Sequence, residues 1–250
     1  MFRAHHSRLF VTLLGLSLSL LLPHCAFATN KKDLNCHPPI DQSATQYVIG
    51  YGSLMNNKSR FFTLKKTIPA YPIKIQGYER GWFGDGYTAG FSTTYLGVIK
   101  KTGAHLNAVY FELPMNHFKE IDKREQTYCR SLLSPQQFTL LSKTSYKKKS
   151  QFWIYHSHPS LKKLPIPTKE LPIVQSYVDI FLTGCLNIGK QFQLLNFSKN
   201  CIRTTRYWST HWVNDRIYPR RPFIYQKNAF EIDHLIKDNL PKKFKAIQIE

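Results

Sequence analysis

The chain has 250 residues, 35 of them basic and 15 acidic, for a formal net charge of +20. The Lys and Arg residues come as pairs and one triplet, Lys147-Lys148-Lys149, with no run of five and no nucleic-acid-binding motif. The charge therefore reads as a solvated basic surface and not as a nucleic-acid groove. No C-x-x-C occurs, which removes zinc ribbons and thioredoxin-like redox motifs.

Arg3, His5, His6 and Arg8 make a positive start, and Leu9 to Leu22 is an uncharged, leucine-rich run. Pro23 breaks it, and Ala26-Phe27-Ala28 supplies a small-x-small pattern. This order predicts a signal peptide over residues 1–28 and export to the periplasm or outside the cell. The run is short for a membrane span of roughly 20 residues. The segment carries two of the basic residues and none of the acidic ones, so the rest keeps a net charge of +18. That charge allows non-specific contact with an anionic envelope surface. Cys36, Cys129, Cys185 and Cys201 remain, and in an oxidising compartment they allow two disulfides in any of three pairings.

Residues 29–45 read as an extended lead-in segment. Gln46 to Tyr51 is a short apolar run of β-formers followed by Gly52-Ser53, a buried strand ending in a tight turn. Tyr71 to Gly77 is a second strand. Gly81 to Gly90 holds four glycines and several aromatics and predicts a loop with special backbone angles. Thr93 to Ile99 and Leu106 to Leu113 predict two strands joined by a turn at Lys100 to Ala104. Pro114 opens a helix on which Phe118, Ile121 and Glu125 share a face. Tyr128 to Leu133 and Gln151 to His156 are further strands. Leu164 to Pro172 is an extended arm.

A helix after Pro172 is marked by Ile173, Val174, Tyr177, Val178, Phe181 and Cys185, with Gly189 placed to end it. Trp208 to Pro222 is irregular, and Ala229 to Asp238 forms a last short helix. Strands come first and helices later, without strict alternation, which predicts an α+β fold with a mixed or antiparallel sheet.

Two features carry chemistry. Gly50-Tyr51-Gly52-Ser53-Leu54 follows a buried strand, and closely spaced glycines let backbone N–H groups converge on an anion. Glu125 sits on an apolar helix face, where burial raises a carboxylate's pKa toward the operating pH. A salt bridge to Arg124 or Arg130 is the structural alternative for Glu125.

Taken together, strand–Tyr-Gly-Ser-Leu and then Ile121-Asp122-Lys123-Arg124-Glu125-Gln126-Thr127-Tyr128 resemble the γ-glutamylcyclotransferase pattern. Gln126 departs from it, since many relatives have glycine there. The resemblance spans Tyr47 to about Tyr155. The helix around Tyr177-Val178-Asp179 and the segment Trp212-Val213-Asn214-Asp215-Arg216 look like a tail of some bacterial members.

The resemblance implies a small mixed β-barrel with flanking helices over residues 46–160, carrying a helical and irregular extension over 161–250. It implies release of 5-oxoproline from a small γ-glutamyl substrate, with Glu125 as general base and then acid. It assigns substrate contacts to Tyr51, Gly52, Ser53, Leu54 and Tyr128, and it calls for no metal and no organic cofactor. Asp122 and Arg124 are expected to brace the helix.

Two other functions compete. One is a serine hydrolase built on Ser53, although Tyr51 and Met55 stand where G-x-S-x-G needs glycine. The other is an exported, non-catalytic binding protein that uses its basic surface on anionic envelope polymers. His156-Ser157-His158 has a spacing that would place two imidazoles on one strand face, but with no carboxylate or cysteine close in sequence it reads as a surface pair.

Overall fold

The computed structural model describes residues 36–86, 92–158, 164–221 and 228–250. The expected signal segment and residues 29–35 of the lead-in segment lie outside them. The fold is α+β, as the element order predicts. Among the described residues no helix is long and apolar enough to cross a membrane.

In chain order the elements begin with β1 (Thr45–Gly50), α1 (Asn57–Leu64), β2 (Tyr71–Gly86), β3 (Thr93–Glu112) and α2 (Phe118–Arg124). β4 (Tyr128–Leu132), β5 (Phe138–Leu140), β6 (Ser150–Ser157), β7 (Ile173–Val174) and α3 (Gln175–Gln191) follow. The last are α4 (Phe197–Arg203), β8 (Thr205–Arg206), β9 (Trp212–Asn214), α5 (Ala229–Asn239), α6 (Pro241–Phe244) and β10 (Gln248–Ile249). The main sheet runs β4-β6-β1-β3-β2-β5, with β8 added to β2. β1 pairs antiparallel with β3 and parallel with β6. The sheet curls into a half-barrel, with β4 and β5 at the ends of the strand order. A small second sheet of β10, β9 and β7 holds the C-terminal elements together.

Alternation along the strands splits the core in two. Val48, Val109 and Phe111 face α3 and its neighbours. Tyr47, Ile49 and Tyr51 face the opposite way, with Leu106, Ala108 and Tyr110. Successive side chains of a strand point to opposite faces, so a sheet covered on both faces divides its apolar residues between two clusters.

β2 and β3 depart from the sequence reading. The expected glycine loop begins as strand, since Gly81, Gly84 and Gly86 all lie in β2. None of the three has a positive φ. A Cβ on Gly81 would stand 2.5 Å from the Phe83 ring, and one on Gly86 2.3 Å from the Tyr95 ring. These glycines make room for aromatic rings; they do not supply unusual backbone angles. The expected strands on either side of Lys100 are one strand, β3, because β2 follows it throughout. The expected turn survives as an irregularity where the register shifts between Gln76 and Tyr78, and both Gly77 and Gly103 take positive φ there.

The helix expected from Pro172 begins at Gln175, directly after β7, whose Ile173 and Val174 pair with Trp212 and Val213 of β9. β-branched residues at that point serve the small sheet, and the helix then continues past Gly189 to Gln191. It is buried on nearly every side, which explains its apolar run. Helices α1, α4 and α6 and strands β5, β8 and β10 fall where no element is expected. The region from Trp208 to Pro222, expected to be irregular, contains β9.

The four cysteines among the described residues are paired. Cys36–Cys129 ties the lead-in segment to β4, and Cys185–Cys201 ties α3 to α4.

Candidate active site

The Tyr-Gly-Ser-Leu segment leaves β1 and turns through a single 3₁₀ turn, Ser53–Met55. Buried polar groups fix its path. Arg60 donates to the carbonyls of Leu54 and Met55, each at 2.9 Å. Arg80, fully buried, donates to the Tyr51 carbonyl at 3.1 Å. Asn56 caps α1 by accepting from Lys58 and Ser59, and its amide donates to Ile180 of α3. Gly184 brings α3 against this loop, since a Cβ there would lie 2.6 Å from the Met55 backbone. Gly52 has a similar reason, because a Cβ on it would stand 2.9 Å from the Tyr177 hydroxyl.

Glu125 is placed by the end of α2. The expected helix extends only to Arg124, and Glu125 is its C-cap, with its N–H donating to Ile121. The carbonyl of Glu125 then accepts from the N–H of Tyr128, so the chain turns at once into β4. This turn swings the carboxylate out of the Phe118–Ile121 face and into a cavity. Its side chain is 15% exposed, and Arg124 Nε lies 3.0 Å from Oε1. Burial pushes its pKa above the usual carboxylate value, and the Arg124 charge and hydrogen bond act in the opposite direction. The alternative of a salt bridge is thus present in part, with Arg124 as the partner. Arg130 instead takes Asp122, at 2.9 Å.

Arg124 also donates to Ser53 Oγ at 3.2 Å and to Thr63 Oγ1. It therefore links the two motifs directly and lines the cavity, beyond the bracing role expected of it. Asp122 does brace, accepting from Arg130 and from the Tyr155 hydroxyl.

The cavity has a volume of about 270 Å³ and collects Tyr51, Gly52, Ser53, Leu54, Glu125 and Tyr128, every residue the sequence singles out for substrate. Four further polar side chains enter that sequence reasoning did not assign to the site: Tyr95, Tyr155, Tyr177 and Arg221. Tyr177 was legible as a residue of the α3 face and of the tail resemblance, and Arg221 gave no local signal. Burial raises the pKa of Tyr51, Tyr128, Tyr155 and Tyr177, so all four present neutral hydroxyls at physiological pH. The Tyr177 hydroxyl lies beside the Ser53 loop and Leu96, whose backbone N–H groups favour its ionised form against the larger effect of burial.

His156 is buried, not on the surface. Its Nε2 lies 2.8 Å from Ser131 Oγ, and its Nδ1 donates to the Ser157 carbonyl at 2.9 Å. Among the described residues, the one group of metal-ligating atoms that converges is Cys36, Cys129 and His158, and both of its sulfurs are committed to a disulfide.

A desolvated carboxylate among neutral phenols, in a cavity near the lower end of the ligand-site range of about 300–1,000 Å³, defines a small-molecule site capable of acid–base chemistry. No protein-family model and no curated protein matches the sequence. Similar solved structures include a γ-glutamyl cyclotransferase at 10% identity and a TM-score of 0.45, covering 64% of this chain and 88% of that one. A γ-glutamyl cyclotransferase specific to glutathione, from yeast, aligns at 10% identity and a TM-score of 0.39, over 64% of this chain and 97% of its own. YkqA from Bacillus subtilis aligns at 16% identity and a TM-score of 0.44, over 64% and 53%.

Proposed function

We propose that the protein releases 5-oxoproline from a γ-glutamyl amine or peptide by intramolecular cyclisation. The observation that carries this reading is the Glu125 carboxylate, buried in a small cavity with its pKa raised, beside the loop of the first motif.

In the reaction the substrate's α-amino nitrogen attacks its own side-chain amide carbonyl, closing a five-membered ring. The bond from that carbonyl carbon to the departing nitrogen then breaks. Glu125 takes the proton that the attacking nitrogen sheds and returns it to the nitrogen that leaves, so one carboxylate serves both steps. Positioning does much of the rest, because attacker and target belong to one molecule. The neutral tyrosine hydroxyls can donate to the reacting carbonyl as its oxygen gains charge. No step calls for a group beyond the protein's own side chains.

The hydrolase reading needs a base on Ser53. Among the described residues the partner of its hydroxyl is Arg124, a donor with no capacity to take a proton. Export is part of the proposal, and the pairing of the four cysteines among the described residues supports an oxidising compartment.

The test is incubation of the purified protein with a panel of γ-glutamyl amines and dipeptides, measuring 5-oxoproline. Formation of 5-oxoproline from at least one is expected. A folded protein that yields none from any of them would sink the proposal and leave the non-catalytic binding reading standing.

A further inference from the structure

The charges of the cavity do not balance. Glu125 is paired with Arg124, but Arg221 reaches the same cavity with no carboxylate partner among the described residues. Its Nε is buried and makes no hydrogen bond. Its guanidinium lies over the Tyr95 ring, 5.5 Å from the centroid, and its charge is felt by Tyr177 across the cavity. A buried guanidinium donor left without an acceptor is costly until one arrives.

The main chain holds Arg221 there. Its N–H donates to Ser176 Oγ at 3.2 Å. Ser176 in turn donates through N–H and Oγ to the buried Asp215, at 2.7 and 2.6 Å, and the N–H of Arg220 donates to the same carboxylate at 2.8 Å. The arm after β9 is thereby clamped to the start of α3, with the Arg221 side chain delivered over Tyr95.

Resting on the cyclotransferase reading, we propose that Arg221 is the binding residue for the free α-carboxylate of the substrate's γ-glutamyl group. The planar fork of guanidinium donors matches a carboxylate. This role supplements the N–H groups of the loop after β1. The site therefore takes γ-glutamyl groups whose α-carboxylate is free and rejects those in which it is amidated.

The test compares a γ-glutamyl amide with its α-carboxamide counterpart, using wild type, Arg221→Gln and Arg221→Lys. The substitutions leave the clamping backbone N–H in place, and thermal unfolding checks that the fold is kept. Losing a charge-assisted hydrogen bond predicts that wild type favours the carboxylate form by about 10- to 100-fold in kcat/KM, mostly through KM. Arg221→Gln should abolish that preference and Arg221→Lys should restore part of it. A preference unchanged in Arg221→Gln, or absent in wild type, overturns the assignment. Direct calorimetric binding of 5-oxo-L-proline separates this claim from the reaction. Binding that weakens at least 10-fold in Arg221→Gln, in a protein that turns nothing over, would uphold the carboxylate site while the cyclotransferase reading falls. No binding to wild type would count against the site itself.

Discussion

Replacing Arg80 by Met should destabilise the protein and loosen the loop after β1 together. Arg80 is fully buried and has no acidic partner among the described residues. It donates instead to six acceptors: Thr205 Oγ1, the carbonyls of Tyr51, Asn107 and Cys201, Asn107 Oδ1 and Thr204 Oγ1. Its guanidinium also lies 4.8 Å from the centroid of the Phe181 ring. One side chain thus joins β2, the loop after β1, β3, α4 and α3.

Burial works against its charge, and the acceptors offset that. Met restores most of the volume and removes the desolvated charge, but it leaves acceptors without donors at about 1–3 kcal/mol each where nothing replaces them. The Cys201 carbonyl keeps a bond from Thr205. The Tyr51 carbonyl has no such second donor among the described side chains. The net expectation is a loss of about 2–4 kcal/mol, or roughly 5–15 °C in Tm for a domain of this size. Circular-dichroism melts and urea titrations would measure it. Arg80→Met with unchanged or raised stability would refute the reasoning, and that outcome is known for some buried ionic groups replaced by apolar ones.

Three further outcomes follow from the site. Arg124→Gln removes the groups that lower the pKa of Glu125, so the acid limb of the kcat/KM profile should move to higher pH; a limb that stays or moves down would contradict the pairing. For Gly184→Ala, a Cβ 2.6 Å from the Met55 backbone must push α3 off the loop, costing about 1–3 kcal/mol by denaturant titration, although alanine is the better helix former. Ser53→Ala should lower kcat/KM only modestly, about 10-fold or less, as expected for loss of one contact to Arg124. A loss of several orders of magnitude in a folded Ser53→Ala protein would revive the hydrolase.

The strands were legible where alternation was strong, as in β1, β4 and β6, and the α+β class follows from their order. Residues whose role depends on distant neighbours were not. Gly81 and Gly86 look like loop glycines until Phe83 and Tyr95 are seen to need their space. Ile173 and Val174 continue a helical pattern in sequence, yet they pair with β9 because Trp212 and Val213 stand beside them.

At the site, the two motifs announced themselves because each is local. Glu125 was expected on the apolar helix face, whereas the end of α2 aims it into the cavity. Arg221 was invisible because a clamp of Ser176 and Asp215, far apart in sequence, is what carries it there.

The rate of 5-oxoproline release by Glu125→Gln, set against wild type on the best γ-glutamyl substrate, tests the central claim most directly. General acid–base catalysis by a positioned carboxylate is worth about 10²- to 10⁴-fold, so kcat should fall by that factor with the melting temperature preserved. A Glu125→Gln protein that releases 5-oxoproline at close to the wild-type rate would contradict the account.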